Sequence, residues 1–293
     1  MILQILLLCV GFVLLVKGAD FFVDGAAGIA GKLGIPQLIV GLTIVAMGTS
    51  LPEAAVSITS ALKGSAGITI GNVVGSNIMN VLVILGITAV ITNVAIQKST
   101  LYCEIPFMIG ITALMIVFGI TIAFLAYLFV MSKKNKAAEE EDECQMSYLK
   151  CIIFIIAGGI MVVWGSDLVV DAASEIARAF GMSERFIGLT IVAFGTSLPE
   201  LVTSVTAAKS GNAGIAIGNI VGSNIFNILF VIGTTALICN VPFESKFLID
   251  SAVAVAAGVI LWLGTIRHKE LRRPCGVVML VAYVGYFAYL CMN

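Results

Sequence analysis

Charge is scarce in this chain of 293 residues: only 11% are Asp, Glu, Lys or Arg, and the formal net charge is −1. With no basic excess it offers no electrostatic footprint for nucleic acid. Histidine occurs once, at His268 in a basic loop, which removes most imidazole chemistry from consideration. The seven cysteines include no CxxC pair and sit mostly inside apolar runs. They read as small hydrophobic residues rather than a disulfide framework or a metal–thiolate site. What abounds is apolar: 60% of residues are hydrophobic and the mean hydropathy is +1.11. Runs of the roughly 20 residues that cross a bilayer recur along the whole length. The composition is that of a polytopic membrane protein whose partner is the lipid bilayer. The N-terminal run carries no basic stretch before it and continues through Lys17 into GADFFVDGA, so it is expected to be a retained span rather than a cleaved signal.

One stretch is written twice. Residues 34–53 read GIPQLIVGLTIVAMGTSLPE, and residues 181–200 read GMSERFIGLTIVAFGTSLPE. In the same register, GITIGNVVGSNIMNVLVILGITAVI at 67–91 returns as GIAIGNIVGSNIFNILFVIGTTALI at 214–238. Thr49 and Thr196, Glu53 and Glu200, Ser76 and Ser223, and Asn80 and Asn227 all lie 147 residues apart, as do Asp20 and Asp167, and Asp24 and Asp171. A period this long, present twice only, points to a duplicated half rather than a solenoid.

The spacing of apolar runs predicts a first repeat over residues 1–132, a charged linker over 133–146 and a second repeat over 147–293. Spans are expected at about 2–24, at 36–62 with an interruption at Gly48–Glu53, and at 67–92 with an interruption near Gly75–Ser76. Residues 101–132 are too long for one span and short for two. The second half has two spans at 247–265 and 274–292, so 101–132 reads as two short helices meeting near Gly119 with a shortened loop. That makes five spans per half and ten in all, an all-α fold of two inverted repeats. Lys133, Lys134, Lys136 and the basic 267–273 cluster each follow an odd-numbered span, which puts both in the cytoplasm and the two termini outside. The acidic run Glu139–Glu143 reads as a solvated tether, with a cation sensor as the alternative. Asp20 and Asp24 are either an interfacial anchor or a vestibule for ions.

Glu53 and Glu200 carry the chemistry. Each lies mid-span, where an ionised carboxylate costs several kcal/mol unless paired or solvated. Pro52 and Pro199 break each helix and are expected to free carbonyls around Ala46–Thr49 and Ala193–Thr196. Ser50 and Ser197 stand at capping-box spacing from the glutamates, which would seat each carboxylate at a positive helix end. The helix at 67–92 supplies a facing stripe of Asn72, Ser76 and Asn80, four residues apart, and Asn219, Ser223 and Asn227 repeat it. Asn72 and Asn219 read equally as interhelical bonds and as ion ligands, whereas Asn77 and Asn224 lie off the stripe and read as packing. Gly71/Gly75 and Gly218/Gly222 have the GxxxG spacing of closely packed helices. An all-oxygen donor set selects Ca²⁺, Na⁺ or similar hard ions over zinc or copper.

GTSLPE twice, each time followed by GNxVGSNIxN, resembles the two repeats of the sodium/calcium exchanger family, a branch of the cation/calcium antiporters. The resemblance covers nearly the whole chain, without the large cytoplasmic regulatory domains of animal exchangers. It implies a ten-helix fold with helices 2, 3, 7 and 8 broken around a midplane site. It implies Thr49, Glu53, Ser76 and Asn80 with Thr196, Glu200, Ser223 and Asn227 as ligands, and carbonyls of Ala46 and Ala193 at flanking Na⁺ positions. It implies a transporter with no cofactor that binds Ca²⁺ and Na⁺ as cargo in the cell membrane of a prokaryote. Asn227 departs from the Asp of potassium-dependent members, which implies K⁺-independent exchange, and more than two Na⁺ per Ca²⁺ would make it electrogenic. The alternatives are a Ca²⁺/H⁺ exchanger using the same glutamates, a channel, and an intramembrane hydrolase with the two acids as a dyad.

Overall fold

The computed structural model describes residues 2–32, 46–118, 147–209, 213–238 and 245–292. Its first helix, α1, runs Ile2–Lys32. After it come the short α2, Ala46–Thr49, and α3, Leu51–Leu62, separated at Ser50. Helix α4 runs Ala66–Ile91 and α5 Ile105–Phe118, preceded by a π-helical turn at Thr100–Glu104. The second half opens with α6, Tyr148–Phe180, then α7, Glu184–Thr196, and α8, Leu198–Lys209, bent by 44°. Helix α9 begins at Ala213 and continues to Ile238, and α10, Phe247–Ile266, and α11, Arg273–Met292, close the chain. One small departure from an all-helical chain is a ribbon of β1, Val94–Ala95, against β2, Glu270–Leu271, antiparallel with Val94 opposite Leu271.

Among the described residues six helices are long and apolar enough to cross a membrane, and seven if the bent pair α7–α8 counts as one. The chain is an all-α membrane protein. Of the two helices expected to meet near Gly119, the first is α5, Ile105–Phe118; the second, over 119–132, and the linker at 133–146 lie outside the described residues, as does the start of the second span.

Local sequence accounts for the ends of the helices. Ser147 caps α6 by accepting from the Lys150 amide at 3.3 Å. Gly181, at φ +65°, stops it in the left-handed conformation that glycine adopts without a steric cost. Ser183 then caps α7 by accepting from the Phe186 amide at 3.1 Å.

Two helices form the centre. In α4 and α9, 78% and 67% of the apolar window is buried, against 22–39% in the outer spans α1, α6, α10 and α11. The outer spans turn residues such as Val10, Trp164 and Val281 outward, where lipid would meet them. Two apolar cores result. One surrounds α4, α9, α10 and α11 (Ile78, Leu85, Ile220, Val231, Leu261), and a smaller one lies between α1, α6 and α7 (Leu15, Val169, Ile187).

The expected interruption near Gly75–Ser76 is not found. Helix α4 continues through both residues, with Gly75 pressed against α7, where a β-carbon would come within 2.7 Å of Leu189 Cα. Without a proline, close packing keeps the helix intact at its glycines. The departure comes later, as π-helical turns at Asn80–Leu85 and Asn227–Ile232. Gly71 and Gly75 thus use their GxxxG spacing. For Gly218 and Gly222 the equivalent contacts fall on residues 38–42, outside those described.

A close backbone-to-backbone contact was not legible in the sequence. Helices α1 and α6 pack antiparallel through Gly11 against Gly165 and Gly18 against Gly158, glycines that occupy equivalent places in the two repeats. In lipid, where apolar burial gives no drive, such close van der Waals approach is what holds helices together. Lys63, just past the end of α3, ties that helix to α6: its Nζ lies 3.0 Å from Asp167 and 2.8 Å from Asp171. These two aspartates are therefore an anchor. Among the described residues Asp20 pairs with Lys17 on its own helix, at 3.1 Å.

A β-carbon on Gly158 would meet the Gly18 carbonyl oxygen at 2.5 Å, whereas one on the neighbouring Gly159 meets nothing within 4 Å. Gly158→Ala is expected to lose roughly 1–3 kcal/mol to overpacking. Gly159→Ala should be neutral or gain up to about 1 kcal/mol of helix propensity. Thermal unfolding of the two purified variants in detergent checks this; equal midpoints would remove the backbone contact from the account.

Candidate ion site

Glu53 and Glu200 sit one turn into α3 and α8, and both are completely buried. Each is held by the opposite half. Ser197 Oγ donates to Glu53 Oε1 at 3.1 Å, and Ser50 Oγ donates to Glu200 Oε1 at 3.1 Å. Ser223 Oγ reaches the same Glu200 oxygen at 3.3 Å. The capping box expected at Ser50 is therefore not formed: its hydroxyl makes no bond to its own helix and goes across the interior to Glu200. A buried carboxylate needs donors more than the exposed first turn does, and it wins the hydroxyl. The expectation of freed carbonyls also needs correction at Ala193, whose oxygen accepts the Ser197 amide at 3.1 Å. The Thr196 hydroxyl also lies within reach of it, at 3.3 Å. Ala46 begins α2.

The stripes on α4 and α9 divide their work. Asn72 donates to Ser57 Oγ at 2.9 Å and to the Glu53 carbonyl at 3.2 Å, while its own Oδ1 accepts from Thr196 at 3.0 Å. Asn219 repeats this, donating to Ser204 Oγ at 3.3 Å and accepting from Thr49 at 3.2 Å. Both amides are spent between helices, which decides between the two readings of these residues. Ser76 Oγ lies 3.4 Å from Thr196 Oγ1. The sequence missed Ser57, Ser204, Asn77 and Asn224. Asn80 donates to Asn224 Oδ1 at 2.9 Å and Asn227 to Asn77 Oδ1 at 3.1 Å. The off-stripe asparagines are thus hydrogen-bonding partners, and their presence in both repeats was the signal available.

Glu53 Oε2, Glu200 Oε2, Asn80 Oδ1 and Asn227 Oδ1 are buried and have no partner among the described residues. The turn carrying Asn80 packs against α8, and the turn carrying Asn227 against α3, so the four oxygens come from elements in mutual contact. All four are acceptors, and two belong to carboxylates that make no ion pair among the described residues. A bound cation, protons or water would relieve such a set. No three His, Cys, Asp or Glu residues cluster among the described residues, so any cation here is held by two acids plus neutral oxygens.

The comparison with known proteins decides the family. A sequence model described as sodium/calcium exchanger protein matches residues 3–157 and 150–292.

The chain belongs to the sodium/calcium exchanger family.

It is 38% identical to "Putative antiporter CaxA" of Alkalimonas amylolytica, covering 98% of each protein. It is 31% identical to "Sodium/calcium exchanger MaX1" of Methanosarcina acetivorans, covering 97% of each. Among solved structures, the sodium-calcium exchanger NCX_Mj soaked with Na⁺ and Sr²⁺ superposes with a TM-score of 0.69 at 32% identity, covering 98% of both chains. The protein is a compact cation/Ca²⁺ antiporter of the prokaryotic kind and not an enzyme, which sets aside the hydrolase reading of the paired glutamates.

Proposed function

We propose that this exchanger moves Ca²⁺ against Na⁺ by alternating access, with Glu53, Glu200, Asn80 and Asn227 as the Ca²⁺ ligands. The observation that carries this reading is the set of four buried oxygens without donors. Ca²⁺ takes six to eight oxygen ligands. The hydroxyls of Thr49, Thr196, Ser76 and Ser223 and the carbonyls of Ala46 and Ala193 are the further oxygens assigned to it and to Na⁺. Two carboxylates balance one Ca²⁺. Empty, the site holds two unpaired buried charges, so closing it without a cation is costly. That cost makes exchange obligatory, because reorientation waits for Ca²⁺ or its replacement. The separate apolar cores around α4/α9 and around α1/α6 favour two bodies that move past one another.

Na⁺ is the assigned counter-ion because the flanking hydroxyls and carbonyls exceed what two protons would use. More than two Na⁺ per Ca²⁺ moves net charge, so transport is electrogenic. Asn227, in place of a third acid, argues for K⁺ independence. The antiparallel packing of the equivalent helices α1 and α6 favours two inverted five-helix repeats, 1–132 and 147–293, joined by a cytoplasmic linker at 133–146, in a cell membrane with both termini outside.

Three outcomes test this. Glu53→Gln or Glu200→Gln preserves volume but removes half the charge opposing Ca²⁺. Each is expected to cut Ca²⁺ transport by about 100-fold or more, the order of losing a desolvated charge contact, with protein still monodisperse; near-normal uptake in either would sink the shared site. In proteoliposomes at clamped pH, ⁴⁵Ca²⁺ uptake should follow an outward Na⁺ gradient and respond to a potential set with K⁺ and valinomycin. Uptake that ignores Na⁺ and follows a pH gradient would reassign the protein as a Ca²⁺/H⁺ exchanger. Finally, single cysteines at Lys98 and Lys133 in a cysteine-free background should react with an impermeant reagent from the same side; opposite sides would overturn the ten-span, inverted arrangement.

A further inference from the structure

We infer that Asn77 and Asn224 are positioning residues that determine which end of the Asn80 and Asn227 amides faces the ion, and so make the site an all-oxygen one. The inference rests on the reading of Asn80 and Asn227 as Ca²⁺ ligands. It begins at two backbone carbonyls. Asn224 Nδ2 lies 3.1 Å from the Asn77 carbonyl oxygen, and Asn77 Nδ2 lies 3.3 Å from the Asn224 carbonyl oxygen. A backbone carbonyl only accepts, so each of these side chains must turn its NH₂ end towards it. The other end of each is then a carbonyl oxygen, which also only accepts. Asn80 meets Asn224 Oδ1 at 2.9 Å and Asn227 meets Asn77 Oδ1 at 3.1 Å. Both must present NH₂ there, and both are left with Oδ1 on the free side, unpartnered and buried. The two ends of an amide are alike in shape and opposite in polarity, and packing alone does not choose between them. Here the choice is made by two main-chain carbonyls, each one amide removed from the ligand.

The arrangement crosses between the halves. Each ligand is oriented by the repeat to which it does not belong, through the Asn three residues before its counterpart in GSNIxN. Without Asn224, the Asn80 NH₂ loses its acceptor, and the flipped amide would aim N–H groups at the cation. Binding of a divalent ion then suffers while the surrounding helices keep their shape.

The test is equilibrium ⁴⁵Ca²⁺ binding to detergent-purified protein, which needs neither transport nor a counter-ion. Asn224→Ala is expected to raise the half-saturating Ca²⁺ concentration about tenfold or more, the order of one contact to a charged group. An aspartate at position 80 has two equivalent oxygens and no orientation to set. In the Asn80→Asp background the same Asn224→Ala change should therefore shift half-saturation by less than about twofold, within the error of additive sites. The mirror cycle, Asn77→Ala with and without Asn227→Asp, carries the same expectation and serves if Asn224→Ala does not fold. An equal loss in both backgrounds would make Asn224 merely structural and overturn the inference. So would unchanged binding by Asn224→Ala alone, or an Asn80→Asp protein that binds no Ca²⁺. Glu200→Gln is measured alongside: if it binds Ca²⁺ normally, the ion site itself is misassigned, an outcome distinct from failure of the positioning role.

Discussion

Four buried oxygen atoms that accept and have nothing to accept from are the constraint on which this structure turns. Two are carboxylate oxygens with no basic partner among the described residues, and two are amide oxygens. A protein interior tolerates such a set only when a cation, a proton or water completes it. Everything around it makes the surplus deliberate. The hydroxyls of Ser50, Ser197 and Ser223 take up one oxygen of each glutamate and leave the other. The asparagine pairs consume the amide donors and leave the carbonyl oxygens. The site is thus arranged by subtraction: among the described residues, the neighbouring hydroxyls and amides bond elsewhere and leave these four oxygens unpartnered.

Holding those atoms in place needs helices that touch backbone to backbone. In a bilayer, apolar side chains gain little by leaving lipid for protein, so contact quality replaces burial as the source of cohesion. Glycines at Gly11, Gly18, Gly158 and Gly165 bring α1 and α6 together, and Gly71 and Gly75 seat α4 on α7. The π-helical turns beginning at Asn80 and Asn227 add a local widening at those two residues, a departure from α-geometry that recurs at functional sites.

The two halves repeat the site but not their surroundings. Arg185 on α7 makes a bidentate pair with the fully buried Asp250 on α10, at 2.7 and 2.8 Å, and Tyr286 on α11 donates to the same carboxylate at 3.0 Å. The first repeat has Leu38 and Cys103 at the equivalent places. Lys63 has a serine, Ser210, as its counterpart. Breaking a buried pair of this kind by removing one partner costs about 3–5 kcal/mol, whereas an exposed pair such as Lys63 with its aspartates contributes little. A two-fold ion site therefore sits in an asymmetric frame, fastened more firmly around the second repeat.

By itself the sequence determined the membrane class and the duplication at 147 residues, and it singled out the repeated Glu, Thr, Ser and Asn side chains. Composition, apolar run length and exact internal repetition are local properties of the chain. Glu53 and Glu200 were conspicuous because a mid-span carboxylate is expensive wherever its partners lie. Tertiary structure decided which half supplies each partner. The same Ser50 that has capping-box spacing within its own helix donates instead to Glu200, 150 residues away. Asn77, off the helical stripe and legible only as packing, meets Asn227 and the Asn224 backbone. Gly75 leaves its helix unbroken because Leu189 lies against it. Each of these outcomes is settled by competition between a local bond and a cross-repeat one, and the winner depends on burial that no stretch of one helix encodes.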